Sequence, residues 1–94
     1  MDTYNEHRMA TRKELRDISG KKLAVGARQL KKALVAGKTQ CVFLAQNADP
    51  CITEPIAELC RRQEATVLWV QTMEDLGRAC GIEVGAAAAA PVAE

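Results

Sequence analysis

Two short runs of uninterrupted apolar residues constrain the fold of this chain most strongly. Residues 42–45 and 67–70 are continuously apolar rather than alternating, which is typical of strands buried on both faces of a sheet. A helical pattern separates the two runs and another follows the second. Strand, helix, strand, helix in this order predicts an α/β fold, with helices packed on both faces of a central sheet.

The first core helix is expected from about residue 27 to residue 36, directly after the stretch 23–26. Leu30, Ala33 and Leu34 recur at helical spacing and are predicted to face the core, while Gly37 ends the helix. The basic residues of this helix are then predicted to lie on its other faces, away from the core.

The starts of the next two helices are predicted from residues that cap helices. Thr53 is the expected N-cap of the helix after the first buried strand, with Pro55 in its first turn, so Cys51 should lie in the preceding loop. Thr72 is the expected N-cap of the last helix, with Asp75 three residues further on, in the position of a capping box.

The two ends of the chain are expected to be less regular than the middle. Residues 1–20 read as an N-terminal extension: residues 1–10 look disordered, and Thr11 with Glu14 forms a capping box that opens a short helix ended by Gly20. Whether this helix docks or folds only on a partner is open. Residues 86–90 are interpreted as a weak edge strand, because alanine is a poor strand former, and residues 91–94 as a tail.

Chain length and charge distribution limit the functions that this protein could have. With 94 residues, 48% of them hydrophobic, the chain allows one domain with one modest core. Residues 1–38 hold ten Lys or Arg against four acids, whereas residues 39–94 hold three against eight. Such asymmetry indicates either a half that faces a polyanion or a solvated helix face. Since no apolar run approaches the roughly 18 residues that span a bilayer, we expect a cytoplasmic protein without membrane contact.

Enzymatic and metal chemistry are not indicated. Cys41, Cys51, Cys60 and Cys80 form no C-x-x-C pair, and the one histidine, His7, falls in the polar extension. Buried cysteines are therefore the favoured interpretation for all but Cys51. No glycine-rich phosphate loop is present. We expect no catalytic residues, no metal and no cofactor.

Three segments form a candidate binding surface, because loops at strand ends gather on one side of a layered α/β fold. They offer a basic helix start, a polar loop after the first buried strand, and an apolar loop between Gly81 and Gly85. The candidate residues are Gly26, Ala27, Arg28, Gln29, Lys32, Asn47, Ile82, Glu83 and Val84.

The same three segments resemble the signature blocks of a known family. GARQLKKAL at residues 26–34, FLAQNADP at 43–50 and LGRACGIEVG at 76–85 are similar to those of the kink-turn RNA-binding ribosomal proteins, the archaeal large-subunit protein L-seven-Ae and its small bacterial relatives. The resemblance covers about residues 21–90 and is greatest to the bacterial branch. It implies a three-layer α/β/α sandwich with a mixed sheet of about four strands.

The resemblance also implies a function and roles for single residues. A family member binds the kink-turn, an RNA bulge flanked by tandem sheared G·A pairs. By this likeness Arg28 and Gln29 would meet guanine edges, Gly26 would let the backbone approach phosphate, and Lys32 would contact RNA from the next turn. Asn47, which stands where the archaeal branch has Asp, would orient the helix residues, hydrogen-bond Lys32 or touch a base.

The apolar loop has its own implied role, since Ile82 and Val84 would cover the flipped-out bases. The implied partner is structured RNA with a kink-turn, from ribosomal RNA or a riboswitch, bound by a monomer. A protein–protein adaptor on the same fold is the alternative function, which the basic charge of residues 1–38 disfavours.

Overall fold

Helices cover both faces of one mixed sheet in the computed structural model, which describes residues 8–92. The strands are β1 (Arg8–Met9), β2 (Leu23–Val25), β3 (Cys41–Ala45), β4 (Thr66–Val70) and β5 (Ala88–Pro91). The helices are α1 (Arg12–Asp17), α2 (Ala27–Val35), α3 (Pro50–Gln63) and α4 (Met73–Cys80). The strand order is β1-β4-β3-β5-β2. β4 is parallel to β1 and β3, and β5 is antiparallel to β3 and β2.

The core is divided by the sheet into two layers. On β3, Val42 and Leu44 face the layer that includes α2 and α3, whereas Phe43 and Ala45 face the layer that includes α1 and α4. All four side chains are buried. Because successive strand residues point to opposite faces, burial on both sides explains the uninterrupted apolar run. The predicted three-layer α/β/α sandwich is confirmed.

β5 corrects the expectation of a weak edge strand. It lies between β3 and β2, with Ala89 opposite both Phe43 and Val25, and Ala88 to Ala90 are fully buried. Alanine's low strand propensity is overridden here by pairing on both sides and by burial under helices, which is what strand propensity mostly measures. Pro91, which lacks a backbone N–H, closes the strand.

The N-terminal extension is more ordered than expected over residues 8–20. Arg8 and Met9 form β1 beside β4, so the described part of the sheet has five strands rather than about four. The capping box of Thr11 and Glu14 is present in both directions, and Ile18 is only 2% exposed. A two-residue strand has no periodicity to detect, which is why the sequence pattern misses it. The expected disorder of residues 1–7 falls outside the described residues.

One ion pair joins β1 to α1. Two guanidinium nitrogens of Arg8 donate to the two carboxylate oxygens of Glu14, at 3.1 and 2.5 Å. The hydrogen bond from Arg8, with another from the Thr11 backbone, lowers the pKa of Glu14 from 4.5 to about 2. The charged form of Glu14 is therefore the one that holds the extension together.

The start of α3 corrects the expected cap. The N-cap is Asp49, whose Oδ1 accepts from the Cys51 N–H at 2.9 Å, and Pro50 occupies the first helical position. Thr53 is a buried residue inside the helix, and Pro55 lies inside it as well. Cys51 consequently sits in the exposed first turn of α3 rather than in a loop. Asp followed by Pro is the stronger start signal, and it lies four residues earlier than expected.

Candidate nucleic-acid interface

The three candidate segments meet at one edge of the sheet. β2, β3 and β4 run in the same direction, so their carboxyl ends share this edge, and antiparallel β5 begins there. Gly26 N donates to Ala88 O at 2.9 Å, which joins the start of α2 to the start of β5. Ala45 N donates to Ala87 O at 3.0 Å, which joins the end of β3 to the same stretch. The predicted convergence of the helix start and the two loops is therefore present.

The start of α2 is basic and lacks a side-chain cap. Gly26 is its N-cap at φ +97°, a conformation that residues with side chains rarely adopt, and glycine has no side chain that could accept from the first-turn N–H groups. Arg28, Gln29 and Lys32 are exposed, while Ala27 packs partly against the core. No acid lies in the first turn. Free N–H groups and two cations make this helix start a favourable place for an anion.

Asn47 is engaged with α4. Its Oδ1 accepts from the Met73 N–H at 2.8 Å, and Met73 is the first residue of that helix. The structure thus pairs this oxygen with α4, and among residues 8–92 it shows no hydrogen bond between Asn47 and Lys32, which the resemblance implied. The Thr72 side chain accepts from the Asp75 N–H at 3.0 Å, which confirms the predicted cap. Asn47 and Thr72 together satisfy two of the free N–H groups of α4.

The apolar loop, residues 81–85, exposes its hydrophobic side chains as expected. Ile82 is 36% exposed and Val84 70%, with exposed Glu83 between them. Gly81 adopts φ +80° as the C-cap of α4, which confirms the need for glycine there. At Gly85 glycine is required for a different reason, because the space for a side chain is occupied: an added Cβ would lie 3.0 Å from Met73 Cβ.

Gly77 is a structural residue that the sequence analysis missed. It lies buried inside α4, and an added Cβ would lie 2.1 Å from the carbonyl oxygen of Val84. The apolar loop folds back onto α4 at this point, and Ile82 N donates to Gly77 O at 3.1 Å. A glycine inside a helix costs about 1 kcal/mol relative to alanine, so its presence indicates a close approach.

Met73 joins the loops at this edge. Its N–H is bound by Asn47, its carbonyl accepts from Ala86 N at 2.9 Å, and Gly85 packs against its side chain. The polar loop after β3 and the apolar loop are therefore both fixed to the first turn of α4. A displacement of either loop would therefore shift the other, because both contact Met73.

Charge distinguishes this edge from a catalytic or metal site. Residues 21–38 contain six Lys or Arg and no acid. Among residues 8–92, no group of three or more His, Cys, Asp or Glu is placed to hold a metal ion. Burial raises the pKa of the Cys60 thiol to about 12, and burial also raises the pKa values of Cys41 and Cys80. These thiols stay protonated near neutral pH, so they are poor nucleophiles.

The helices of the described chain include none long and apolar enough to cross a membrane.

Comparison with known proteins agrees with the geometry. The model of the family described as ribosomal protein L7Ae/L30e/S12e/Gadd45 matches residues 9–94. An RNA-binding protein of Caldanaerobacter subterraneus is 41% identical over 71 residues, which are 76% of this chain and 87% of that protein.

Two further comparisons extend the likeness. The large ribosomal subunit protein eL8 of Halobacterium salinarum is 39% identical over 69 residues, 72% of this chain and 58% of that protein. The solved structure of a 15.5 kD RNA-binding protein of Giardia lamblia has a TM-score of 0.77, covering 100% of this chain and 85% of that one. With 20% identity, this last likeness concerns the fold alone. None of these names denotes an enzyme.

Proposed function

The chain belongs to the ribosomal protein L7Ae/L30e/S12e/Gadd45 family, and we propose that it binds RNA by recognising a kink-turn. The observation that carries the proposal is the convergence, at one sheet edge, of a basic helix start, a polar loop and an exposed apolar loop. RNA sequence is read at bulges and unstacked bases, where edges and faces of bases are accessible. A surface with cations on one side and apolar side chains on the other matches both features of such a bulge.

The start of α2 supplies the polar part of recognition. Arg28 is exposed and reaches solvent from the first turn, and arginine pairs well with the two acceptor atoms of a guanine edge. Gln29 beside it offers both a donor and an acceptor for the neighbouring base. Gly26 keeps the backbone bare at the N-cap, so phosphate can approach the free N–H groups of α2. Lys32 adds a cation one turn further along the helix.

The apolar loop supplies the cover for unstacked bases. Ile82 and Val84, on either side of Glu83, are both exposed, although apolar residues of this size are usually buried. Contact with the faces of flipped-out bases would remove this apolar surface from water. Asn47 acts indirectly in this proposal, because its side-chain oxygen fixes α4 and hence the loop behind it.

We further propose that the protein acts as a monomer in the cytoplasm, with ribosomal RNA or a riboswitch as the source of the kink-turn. The ribosomal source is supported by the similarity to a protein named for the large ribosomal subunit. One kink-turn engages a single copy of the three segments, so recognition requires no second protomer.

A filter-binding assay tests this function. The full chain is titrated against a kink-turn RNA and against the same stem without its bulge and sheared pairs. We expect much tighter binding of the kinked RNA. Equal affinity for both RNAs would overturn the kink-turn proposal, and no binding to either would favour the adaptor function instead.

A further inference from the structure

A second basic surface lies further along the same sheet edge. Between α1 and α4, over the ends of β1 and β4, there is an open groove of about 950 Å³. Arg12 and Arg16 line it from α1, and Arg78 lines it from α4. We call this surface the arginine groove. Arg12 and Arg16 lie outside the family signature blocks, and Arg78, which lies within the third block, has no role assigned by the resemblance.

The charge of the arginine groove is strongly unbalanced. Among residues 8–92, Asp75 is the one carboxylate that lines the groove, and its Oδ1 is 3.5 Å from a guanidinium nitrogen of Arg78, with both side chains well exposed. Such exposed pairs contribute little and are readily exchanged for another anion. Within residues 8–92, Arg12 and Arg16 have no ion-pair partner, in contrast to Arg8, which Glu14 binds. Three guanidinium groups against one carboxylate favour an anionic occupant.

The lining and shape of the groove indicate which kind of anion could bind there. Met9, Leu15 and Ala79 form an apolar floor, and two of the arginines are four residues apart, so they share one face of α1. Guanidinium groups bind phosphate oxygens bidentately, and their planes tolerate apolar surroundings better than ammonium does. A row of phosphates joined by riboses fits cations spaced along an apolar floor.

Position favours RNA over an acidic protein as the source of the phosphates. β4 is three strand positions from β2, so the end of β4 lies about 14 Å along the edge from the end of β2, and the groove lies there on the face of the sheet that carries α1 and α4, opposite α2. That distance corresponds to roughly four nucleotides of one strand. An RNA that is bound at α2 and crosses this edge toward α4 would reach the groove.

We propose that the arginine groove binds the phosphate backbone of an RNA stem that continues from the kink-turn. The inference rests on the proposed function, because it takes the RNA to be already docked at α2. It also assigns a task to the N-terminal extension: β1 and α1 position two of the three arginines. Deletion of the extension would remove buried Ile18, so point substitutions are the appropriate probe.

The test uses Arg12→Gln with Arg16→Gln in the full chain, and Arg78→Gln as a second variant on a different helix. Binding is measured over a salt series with a minimal kink-turn RNA and with two versions that lengthen one stem each. The wild type should gain affinity and a steeper salt dependence with one lengthened stem. The double variant should lose that gain, with a salt slope lower by about 1.4–1.8 on that RNA. Arg78→Gln should lower the slope by about half as much.

A matched control removes the same number of positive charges at a site away from the groove. Lys38→Gln with Arg62→Gln also removes two exposed cations, beyond the last turn of α2 and in the last turn of α3 respectively. This control should keep the gain from the lengthened stem. Equal slopes for the control and both arginine variants would overturn the groove proposal, even with kink-turn preference intact. A wild type without kink-turn preference would overturn the proposed function, and the groove proposal with it.

Discussion

Gly77→Ala isolates the contact between α4 and the apolar loop. The added methyl carbon would lie 2.1 Å from Val84 O, whereas ordinary contact begins at 3.4 Å, so the Val84 carbonyl must move by about 1.3 Å. Overpacking of this kind costs about 1–3 kcal/mol. Helix propensity acts in the opposite direction, since alanine in a helix interior is favoured over glycine by about 1 kcal/mol. The two effects predict opposite signs, and the close contact should prevail.

Two measurements separate these effects. Thermal melting should show a net loss of about 0–2 kcal/mol, and each kcal/mol lowers Tm by about 4–8 °C in a domain of this size. Kink-turn affinity should fall by about 5- to 150-fold, because RNA binding must return the displaced loop to its original position at a cost of about 1–3 kcal/mol. Affinity is the sharper readout, since propensity does not affect it.

Gly37→Ala is the matched control for this prediction. Gly37 has φ +72° and no atom near the added Cβ, and it lies beyond the last turn of α2, away from the binding edge. This substitution should lower stability by backbone strain of about 1–2 kcal/mol and leave affinity unchanged. If Gly77→Ala instead raises Tm and binds RNA like the wild type, α4 does not support the loop as described.

Three further predictions concern the loops and the extension. Ile82→Asp with Val84→Asp should abolish measurable kink-turn binding while circular dichroism shows a folded chain; unfolding would place these side chains in the core. Asn47→Ala should weaken kink-turn binding and lower Tm, because it leaves the first N–H of α4 unpaired. Asn47→Asp keeps an acceptor oxygen and should have the Tm of the wild type. Equal Tm values for the two variants would refute the capping role. Glu14→Gln should lower Tm above about pH 4.5. Because the pKa of Glu14 in the folded chain is about 2, the difference in Tm between the variant and the wild type should shrink as pH falls toward 2. A difference in Tm that does not depend on pH would exclude the ion pair with Arg8 as its cause.

The residues that could be predicted from sequence are those whose environment is set by the chain nearby. The apolar runs gave β3 and β4, and Thr11 and Thr72 were identified as caps because an N-cap depends on the next three residues. The exposure of Val84 followed from its place in a loop bracketed by Gly81 and Gly85.

The residues that were missed depend on distant partners. Gly77 is needed because Val84 lies against it, β1 exists because β4 is beside it, and β5 is interior because β2 pairs with its outer side. Asn47 was expected near Lys32, and only the packed structure brings it to α4. Local patterns do not encode which elements become neighbours across the sheet.

The most direct test of the central claim compares Arg28→Ala with the wild type on two RNAs. One RNA is a kink-turn, and in the other Watson–Crick pairs replace the tandem sheared G·A pairs. Because Arg28 is exposed at the start of α2 and pairs with guanine edges in this account, its loss should cost about 1–3 kcal/mol on the first RNA and little on the second, with Tm unchanged. An equal loss of affinity on both RNAs would show attraction to phosphate alone and would contradict the recognition proposed here.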